Sequence, residues 1–320
     1  MTPAEFYRAA IDRARNVLVE VDEPFGLMLG ALLVGGNVLV EGVPGTAKTL
    51  MARSLAALLG GNSSETHFSR IQFTPDLMPS DILGTNVFHA ASASFTFRPG
   101  PIFANVVVAD EVNRAPAKTQ SALLEAMEEH QVTVEGQRLP LPRVFLVVAT
   151  QNPIEFEGTY PLPEAQMDRF VFKLLVDHLS GEAERDVVLR HDRGLDVTDL
   201  AGAGLAPLVD ADGVLELRAQ VARVRVDVSV AGYMVAINRA TRTLPEVENG
   251  ASVRGALGLL NGAKVTAAFA DRNFVVPDDV KYVAPAVLRH RIVLKPEAEL
   301  DGVRPDDVID RILTSVPVPR

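Results

Sequence analysis

One stretch decides how this chain folds: Glu41-Gly42-Val43-Pro44-Gly45-Thr46-Ala47-Lys48-Thr49. The aliphatic run before it, residues 37–40, favours a buried strand, and the helix-forming run after it, residues 50–59, ends at two glycines. A strand, a glycine-rich turn and a helix in this order are the context of a phosphate-binding loop. Glycines let backbone amides approach phosphate oxygens, and the positive end of the following helix favours an anion there. The stretch therefore predicts a nucleotide-phosphate site.

Two side chains of this loop carry the expected chemistry. Lys48 is placed to reach the β- and γ-phosphates of a nucleotide, and the hydroxyl of Thr49 is placed to ligate Mg²⁺. Ala47 stands where the usual pattern has glycine; because alanine is small and begins a helix well, we expect the loop to keep its shape. An ordinary glycine-rich turn is the alternative for this motif taken alone. We predict that ATP or ADP is held by Gly42, Val43, Pro44, Gly45, Thr46, Ala47, Lys48, Thr49 and Leu50.

Composition and charge restrict the class of protein. Of the 320 residues, 48% are hydrophobic and 22% are charged, as in an ordinary folded protein. The absence of cysteine excludes disulfides and thiolate metal sites. A formal net charge of −10 argues against a general nucleic-acid binder, which needs a basic surface. No apolar run reaches the length of a membrane span and no signal peptide is recognisable, so we expect a cytoplasmic protein without membrane insertion.

A second motif places two acids at the end of a buried strand. The continuous apolar run 106–109 favours a strand inside a parallel sheet, and Asp110 and Glu111 follow it directly. Ligands of such sheets lie beyond the carboxyl ends of the strands. We therefore expect Asp110 to hold Mg²⁺ through water, and Glu111 to orient and deprotonate an attacking water. The alternative is that both acids only begin the helix that follows.

A third buried strand is predicted over residues 144–150, and it ends at Gln151 and Asn152. The amide of Asn152 would then lie near the γ-phosphate and share the attacking water with Glu111. The alternative is that Asn152 only begins the turn before Pro153.

Two hairpins are predicted between these motifs. Residues 85–88 pair with residues 95–97 around a small, polar tip over residues 90–94. Residues 131–134 pair with residues 139–141 to form the second hairpin, around a turn of mixed charge.

The chain changes character after the strand predicted over residues 171–176. A segment rich in Gly, Ala and Asp, residues 192–213, is predicted to be a loop or linker. Helices are predicted over residues 229–241, 252–270, 277–291 and 305–316. We therefore predict an α/β domain, residues 1–178, followed by a smaller all-helical domain, residues 179–320.

Together these motifs resemble those of one family, the AAA+ ATPases of the MoxR type, in the branch with a helix-2 insert and a pre-sensor hairpin. The resemblance implies a P-loop domain with a central parallel sheet flanked by helices, followed by a smaller helical lid. It covers nearly all of residues 37–176 in order. The similar blocks are residues 42–49, 70–77, 79–84, 100–105, 110–116, 149–155, 158–166 and 168–170.

The resemblance also implies a role for each matching residue. Residues 42–49 correspond to the Walker A loop, and Asp110 and Glu111 correspond to Walker B. Asn152 corresponds to sensor 1. Arg169 corresponds to the arginine finger, which in a ring reaches the ATP of the neighbouring subunit.

Two segments match the family pattern less closely, and the role of one further arginine stays open. Arg254 corresponds to sensor 2, which would touch the γ-phosphate from the lid, but it follows Val253 where the family more often has proline. Residues 21–23 replace the small glycine-containing segment usually found near the adenine. Arg114 would be either a further arginine acting on a neighbour or a member of a surface salt bridge.

The resemblance implies an ATP-hydrolysing homo-oligomeric ring, expected to be a hexamer, with chaperone-like activity that remodels or matures a protein partner. Relatives of this type commonly act with proteins that contain a von Willebrand A domain, so we expect a client or adaptor of this kind. Three alternatives stay open: a DNA-acting motor, the motor subunit of a metal-chelatase complex and a non-hydrolysing scaffold. A first hairpin tip without Lys or Arg argues against DNA, and the intact pair Asp110 and Glu111 argues against a scaffold.

Overall fold

The computed structural model describes residues 1–60, 68–152 and 160–319, so parts of the family-like blocks 149–155 and 158–166 lie outside the described residues. The helices are α1 (Pro3–Ala14), α2 (Asp22–Val34), α3 (Lys48–Ala57), α4 (Pro79–Leu83), α5 (Ala117–Glu129), α6 (Glu164–Met167), α7 (Gly181–Asp192), α8 (Ala211–Ala222), α9 (Val228–Ala240), α10 (Val253–Phe269), α11 (Pro277–Leu288), α12 (Pro296–Leu300) and α13 (Pro305–Ser315). The strands are β1 (Asn37–Gly42), β2 (Phe68–Gln72), β3 (Gly84–His89), β4 (Ser94–Pro99), β5 (Val106–Asp110), β6 (Gln131–Val134), β7 (Gln137–Pro140), β8 (Leu146–Gln151), β9 (Phe170–Val176), β10 (Val247–Asn249) and β11 (Val293–Leu294).

Five strands form one parallel sheet in the order β2-β5-β8-β1-β9. Its central strands are buried on both faces, which explains why their sequences are continuous aliphatic runs. Along β5, Val106 and Val108 pack into one hydrophobic core, whereas Val107 and Ala109 pack into a second core on the opposite face. The predicted central parallel sheet is therefore confirmed.

The larger of the two cores joins both halves of the chain. It contains Phe25 and Leu29 of α2, together with Leu259 and Ala263 of α10. Helices near the N-terminus and helices of the C-terminal half thus cover the same face of the sheet as α3. The predicted boundary between residues 178 and 179 falls just after β9 and stays a prediction, because the core continues across it.

The C-terminal half is mainly helical, as predicted, but it also contains elements that were not predicted, among them α8, which begins within the end of the predicted loop 192–213, and the short helix α12. Helix α7 was not predicted, because Ala183 is its one buried residue and its sequence has no apolar stripe. Strands β10 and β11 pair antiparallel, with Val247 opposite Leu294, and are too short to show an alternating pattern. Among the described residues, no helix is both long and apolar enough to cross a membrane.

Both predicted hairpins are present, formed by β3 with β4 and by β6 with β7. The second turn is shorter than expected and consists of Glu135 and Gly136, which both have positive φ. The side-chain amide of Asn86 on β3 donates a hydrogen bond to Glu135 Oε2 at 2.7 Å. The two hairpins therefore lie side by side.

Arg291 is a buried arginine that ties the C-terminal half to the sheet. Its Nε donates to Asp168 Oδ1 at 2.7 Å, and its Nη2 donates to the carbonyl oxygen of Phe170, also at 2.7 Å. Asp168 Oδ2 also accepts a hydrogen bond from the hydroxyl of Ser252, the residue that caps α10. Burial lowers the pKa of Arg291, and the charge of Asp168 opposes that effect. The segment that leads into β9 is thus held by two separate elements of the C-terminal half.

Replacing Arg291 by alanine should lower the free energy of unfolding by about 3–5 kcal/mol, because it leaves a partly buried carboxylate without its charged partner. Denaturant unfolding followed by circular dichroism measures this change. Arg143→Ala is the matched control, since Arg143 forms an exposed ion pair with Asp212, and its midpoint should stay close to that of the wild type. Similar midpoints for the two variants would show that Arg291 does not hold the two parts together.

Candidate nucleotide-binding site

The carboxyl ends of β1, β5 and β8 meet at one edge of the sheet, where a cavity of 430 Å³ opens. Its walls are the loop after β1, the acids that end or follow β5, one residue of β2 and the end of β8. The lining residues are Pro44, Gly45, Thr46, Ala47, Lys48, Thr49, Leu50, Arg70, Asp110, Glu111, Thr150, Gln151 and Asn152. The residues predicted to bind nucleotide and metal thus converge here, except that Gly42 and Val43 do not line the cavity.

The two glycines of the loop are required for different reasons. A Cβ on Gly42 would lie 2.2 Å from the carbonyl oxygen of Val176, so the close approach of β1 and β9 demands glycine. Gly45 has a φ of +85°, and no atom lies near the position of an added Cβ. Glycine is therefore needed here for its backbone conformation and not for space. The hydroxyl of Thr46 donates to the carbonyl oxygen of Val43 at 2.9 Å and closes the turn.

Ala47 adopts a left-handed backbone conformation, with φ 58° and ψ 17°, and α3 begins one residue later at Lys48. The expectation that this alanine begins the helix is therefore corrected. A left-handed conformation costs a residue with a Cβ about 1–2 kcal/mol, which explains why glycine is usual at this position. The loop keeps its turn in spite of that cost, and the amide of Met51 donates to the carbonyl oxygen of Ala47 at 2.9 Å.

The ammonium group of Lys48 lies within the loop. Its Nζ donates hydrogen bonds to the carbonyl oxygens of Gly42 at 2.6 Å and Val43 at 2.7 Å. Burial lowers the pKa of Lys48, and the nearby carboxylates of Asp110 and Glu111 oppose this by favouring the charged form. The loop therefore holds a partly desolvated cation next to the position expected for the phosphates.

Asp110 is buried at the end of β5, and both of its carboxylate oxygens have partners. Oδ1 accepts a hydrogen bond from the hydroxyl of Thr150 at 2.5 Å. Oδ2 accepts from Arg70 Nη2 at 2.6 Å and from Arg70 Nε at 3.0 Å. The acid predicted to hold Mg²⁺ thus lies in a salt bridge with an arginine of the neighbouring strand.

Glu111 follows in a left-handed conformation, with φ 55° and ψ 50°. Its Oε2 accepts a hydrogen bond from Gln72 Nε2 at 2.8 Å and lies 3.1 Å from Arg114 Nε. The hydroxyl of Thr150 accepts from the backbone amide of Glu111 at 2.9 Å, which fixes the turn between the two acids. Of the two roles considered for Arg114, the structure shows the salt bridge.

Sequence reasoning missed Arg70, Gln72 and Thr150 as members of the site. Arg70 and Gln72 are two residues apart on β2 and are paired in register with Val108 and Asp110, so both point to the same side of the strand. Polar residues alternating with Ile71 next to a strand that ends in two acids were the signal that could have indicated them.

The predicted site residues outside the loop separate into two groups. Asn152, which is predicted to be sensor 1, is buried and lines the cavity with Glu111. Arg169 and Arg254 do not line it; they meet at Glu128, with Arg169 Nη1 2.9 Å from Oε2 and Arg254 Nη2 2.8 Å from Oε1. Arg254 therefore lies beside Arg169, the predicted arginine finger. It does not line the cavity of its own chain, so the structure does not place it for the γ-phosphate contact expected of sensor 2.

The fold and this site define an AAA ATPase domain followed by its lid. Residues 37–172 match the family described as "ATPase family associated with various cellular activities (AAA)", and residues 239–312 match the "AAA lid domain". The crystal structure of a protein from Cytophaga hutchinsonii, named there as a candidate ATPase, superposes with a TM-score of 0.89 at 39% identity and covers 99% of this chain and 96% of that one.

Comparison with individual proteins shows which family of AAA ATPases the chain resembles. The chain is 44% identical over 310 residues to the uncharacterized protein YeaC of Bacillus subtilis, covering 97% of this chain and 94% of that protein. It is also 44% identical over 326 residues to the chaperone MoxR1 of Mycobacterium tuberculosis, covering 97% and 82%. Identity to the protein MoxR of Methylorubrum extorquens is 29% over 329 residues, covering 95% and 92%. The chain belongs to the MoxR family of AAA ATPases.

Two variants should separate nucleotide binding from turnover at this site. Lys48→Ala should abolish ATP binding, because the loop loses the cation that is predicted to face the β- and γ-phosphates. Glu111→Gln should bind ATP with nearly unchanged affinity but lose turnover, because an amide cannot accept the proton of the attacking water. Equilibrium binding of a fluorescent ATP analogue and release of phosphate are the two measurements.

Arg138→Gln is the control for both variants, since Arg138 is an exposed residue of β7 outside the cavity. It should match the wild type in binding and turnover. Normal hydrolysis by Glu111→Gln would remove that residue from the mechanism, and normal binding by Lys48→Ala would place the phosphates elsewhere.

Proposed function

We propose that this protein is a Mg²⁺-dependent ATPase that assembles into a homo-oligomeric ring, most simply a hexamer, and remodels or matures a protein partner. The observation that supports this best is the convergence of Lys48, Asp110, Glu111 and Asn152 on one cavity at the carboxyl edge of the sheet. Proteins that only bind nucleotide have no need of a base placed beside the phosphates. A cytoplasmic location is part of the same proposal.

The donors in the cavity suit the proposed metal and nucleotide. Thr49 and Asp110 offer hydroxyl and carboxylate oxygens, which are the ligands that Mg²⁺ prefers, directly or through its waters. When bound, the ion neutralises charge on the phosphates of ATP. Lys48 and the amides of the loop would hold the β- and γ-phosphates, and the helix α3 directs its N-terminus at them.

Hydrolysis would then proceed with the residues opposite the loop. Glu111 accepts a proton from a water molecule as the water oxygen bonds to the γ-phosphorus, and Asn152 helps to orient that water. The bond from the γ-phosphorus to the bridging oxygen breaks, which leaves ADP and inorganic phosphate. Both residues line the same cavity as Lys48, so no rearrangement of the sheet is needed.

The ring is supported by the position of Arg169. This arginine does not line the cavity of its own chain, and its guanidinium lies with that of Arg254 near Glu128. An arginine finger placed there would reach the γ-phosphate of a second copy, and Arg254 would act from the same surface. The sensor 2 contact is thus proposed to form between subunits.

The partner is proposed to be a protein that contacts the two adjacent hairpins. Phe88 and Phe95 face each other across β3 and β4, with ring centroids 5.2 Å apart, and they are 55% and 69% exposed. An exposed aromatic pair next to a tip without positive charge suits a protein surface better than DNA. The related MoxR1 is named a chaperone. An adaptor with a von Willebrand A domain stays part of the proposal, and neither DNA translocation nor a metal-chelatase role gains support from a specific contact.

Arg169→Ala should bind ATP nearly as well as the wild type and lose turnover by on the order of 10³-fold, because the finger acts on the transition state. Mixing it with Lys48→Ala should restore part of the activity, since some interfaces would join an intact nucleotide site to an intact finger. Phosphate release from the mixture, compared with each variant alone, is the measurement.

Exchange of subunits must be verified with two fluorescent labels before the mixture is interpreted. Arg143→Ala serves as the control, because it removes an exposed arginine that pairs with Asp212 and not with Glu128. If exchange occurs and Arg169→Ala keeps most of its turnover as a monomer, the trans-acting finger and the obligatory ring are both wrong.

Replacing Phe88 and Phe95 together by serine should leave basal ATPase activity unchanged but abolish ATP-dependent protection of a heat-unfolded reporter enzyme from aggregation. The reason is that both side chains are exposed and lie outside the nucleotide cavity. Phe274→Ser removes an aromatic ring of similar exposure, 48%, from the lid and should leave both activities intact. Loss of nucleotide binding in the hairpin variant would mean that the hairpin is structural.

A further inference from the structure

The guanidinium of Arg70 is paired with the carboxylate of Asp110, which the proposed metal would need. Its Nη2 and Nε are 2.6 Å and 3.0 Å from Asp110 Oδ2, while Thr150 occupies Oδ1. Both oxygens of this carboxylate therefore have a partner from the same chain. Thr150 is a neutral donor, so Arg70 is the cation hydrogen-bonded to Asp110, while Lys48 interacts with the same carboxylate through its charge.

The two members of this salt bridge differ in their surroundings. The side chain of Asp110 is 12% exposed and fixed at the end of β5, whereas the side chain of Arg70 is 51% exposed and lines the cavity. Arg70 also donates to Gln72 Oε1, an exposed contact, at 2.9 Å. Arg70 can thus turn away into open space without leaving its own charge buried, whereas Asp110 is buried at the end of a strand.

A metal ion and a guanidinium cannot both use Asp110 Oδ2 at close range. The lone pairs that accept from Arg70 are those that would accept from the waters of Mg²⁺ or bind the ion itself. Two cations on one buried carboxylate would repel each other strongly, because the low local dielectric increases their interaction. Occupation by one therefore weakens the other.

We propose that Arg70 is a displaceable counter-cation that competes with Mg²⁺ for Asp110. It compensates the buried carboxylate when no metal is present and is displaced when the metal–nucleotide complex enters. The competition sets the Mg²⁺ concentration at which ATP binds tightly. This inference rests on the proposed function, because it assumes that the cavity binds ATP with Mg²⁺.

The test is the Mg²⁺ dependence of binding of a fluorescent, non-hydrolysable ATP analogue to the full-length protein. Arg70→Gln should lower the Mg²⁺ concentration for half-maximal binding by about three- to tenfold, because Asp110 no longer has an internal cation to exchange. Arg70→Lys keeps the charge without the planar fork and should fall between Arg70→Gln and the wild type. Binding without Mg²⁺ should not increase in either variant.

Arg114→Gln is the matched control, since it removes the same charge from the same network but from Glu111. It should keep the Mg²⁺ dependence of the wild type. An equal shift in Arg114→Gln would mean that only the general positive field matters, and an unchanged or higher Mg²⁺ requirement in Arg70→Gln would mean that Arg70 is not a competitor. If the wild type fails to bind the analogue at any Mg²⁺ concentration, as Lys48→Ala is expected to do, the proposed nucleotide site itself is wrong.

Discussion

The parallel pairing of β5, β8 and β1 is the constraint on which the rest of the structure depends. In this register Ala109 lies beside Ala149 and Leu39 lies beside the same residue on the other side. Parallel strands run in the same direction, so the carboxyl ends of all three lie at one edge of the sheet. Asp110, Thr150 and the phosphate loop then meet at this edge, although long crossover segments separate them in the sequence. The cavity is therefore a consequence of the backbone hydrogen bonds of the sheet.

Each charged group of the site already has a partner within the chain. Lys48 donates to loop carbonyls, Asp110 is paired with Arg70, and Glu111 is held by Gln72 and Arg114. Such pairing is expected, because a buried polar group without a partner costs free energy. It also means that ligand binding is an exchange of partners. The affinity of this cavity for a ligand is therefore a small difference between the free energy of the internal pairs that break and that of the pairs that replace them.

The sheet and the phosphate loop could be predicted from the sequence because their causes are local. Glycines at the turn and aliphatic runs around residues 106–109 and 144–150 determine both. The position of Arg254 could not be predicted, because it depends on how the lid packs against Glu128 of α5, a contact between residues 126 positions apart. The left-handed conformation of Ala47 could not be predicted either, since alanine favours the right-handed helical conformation.

The attachment of the lid has a mechanical consequence. Asp168 receives hydrogen bonds from Ser252 and Arg291, which belong to different parts of the lid, and it directly precedes Arg169. A rotation of the lid would therefore be transmitted through Asp168 to Arg169, the proposed arginine finger, without an intervening loop. In the ring proposed above, such a subunit would transmit a movement of its lid to the binding pocket of its neighbour as a lever does, and the buried guanidinium of Arg291 would contribute to the stiffness of that lever.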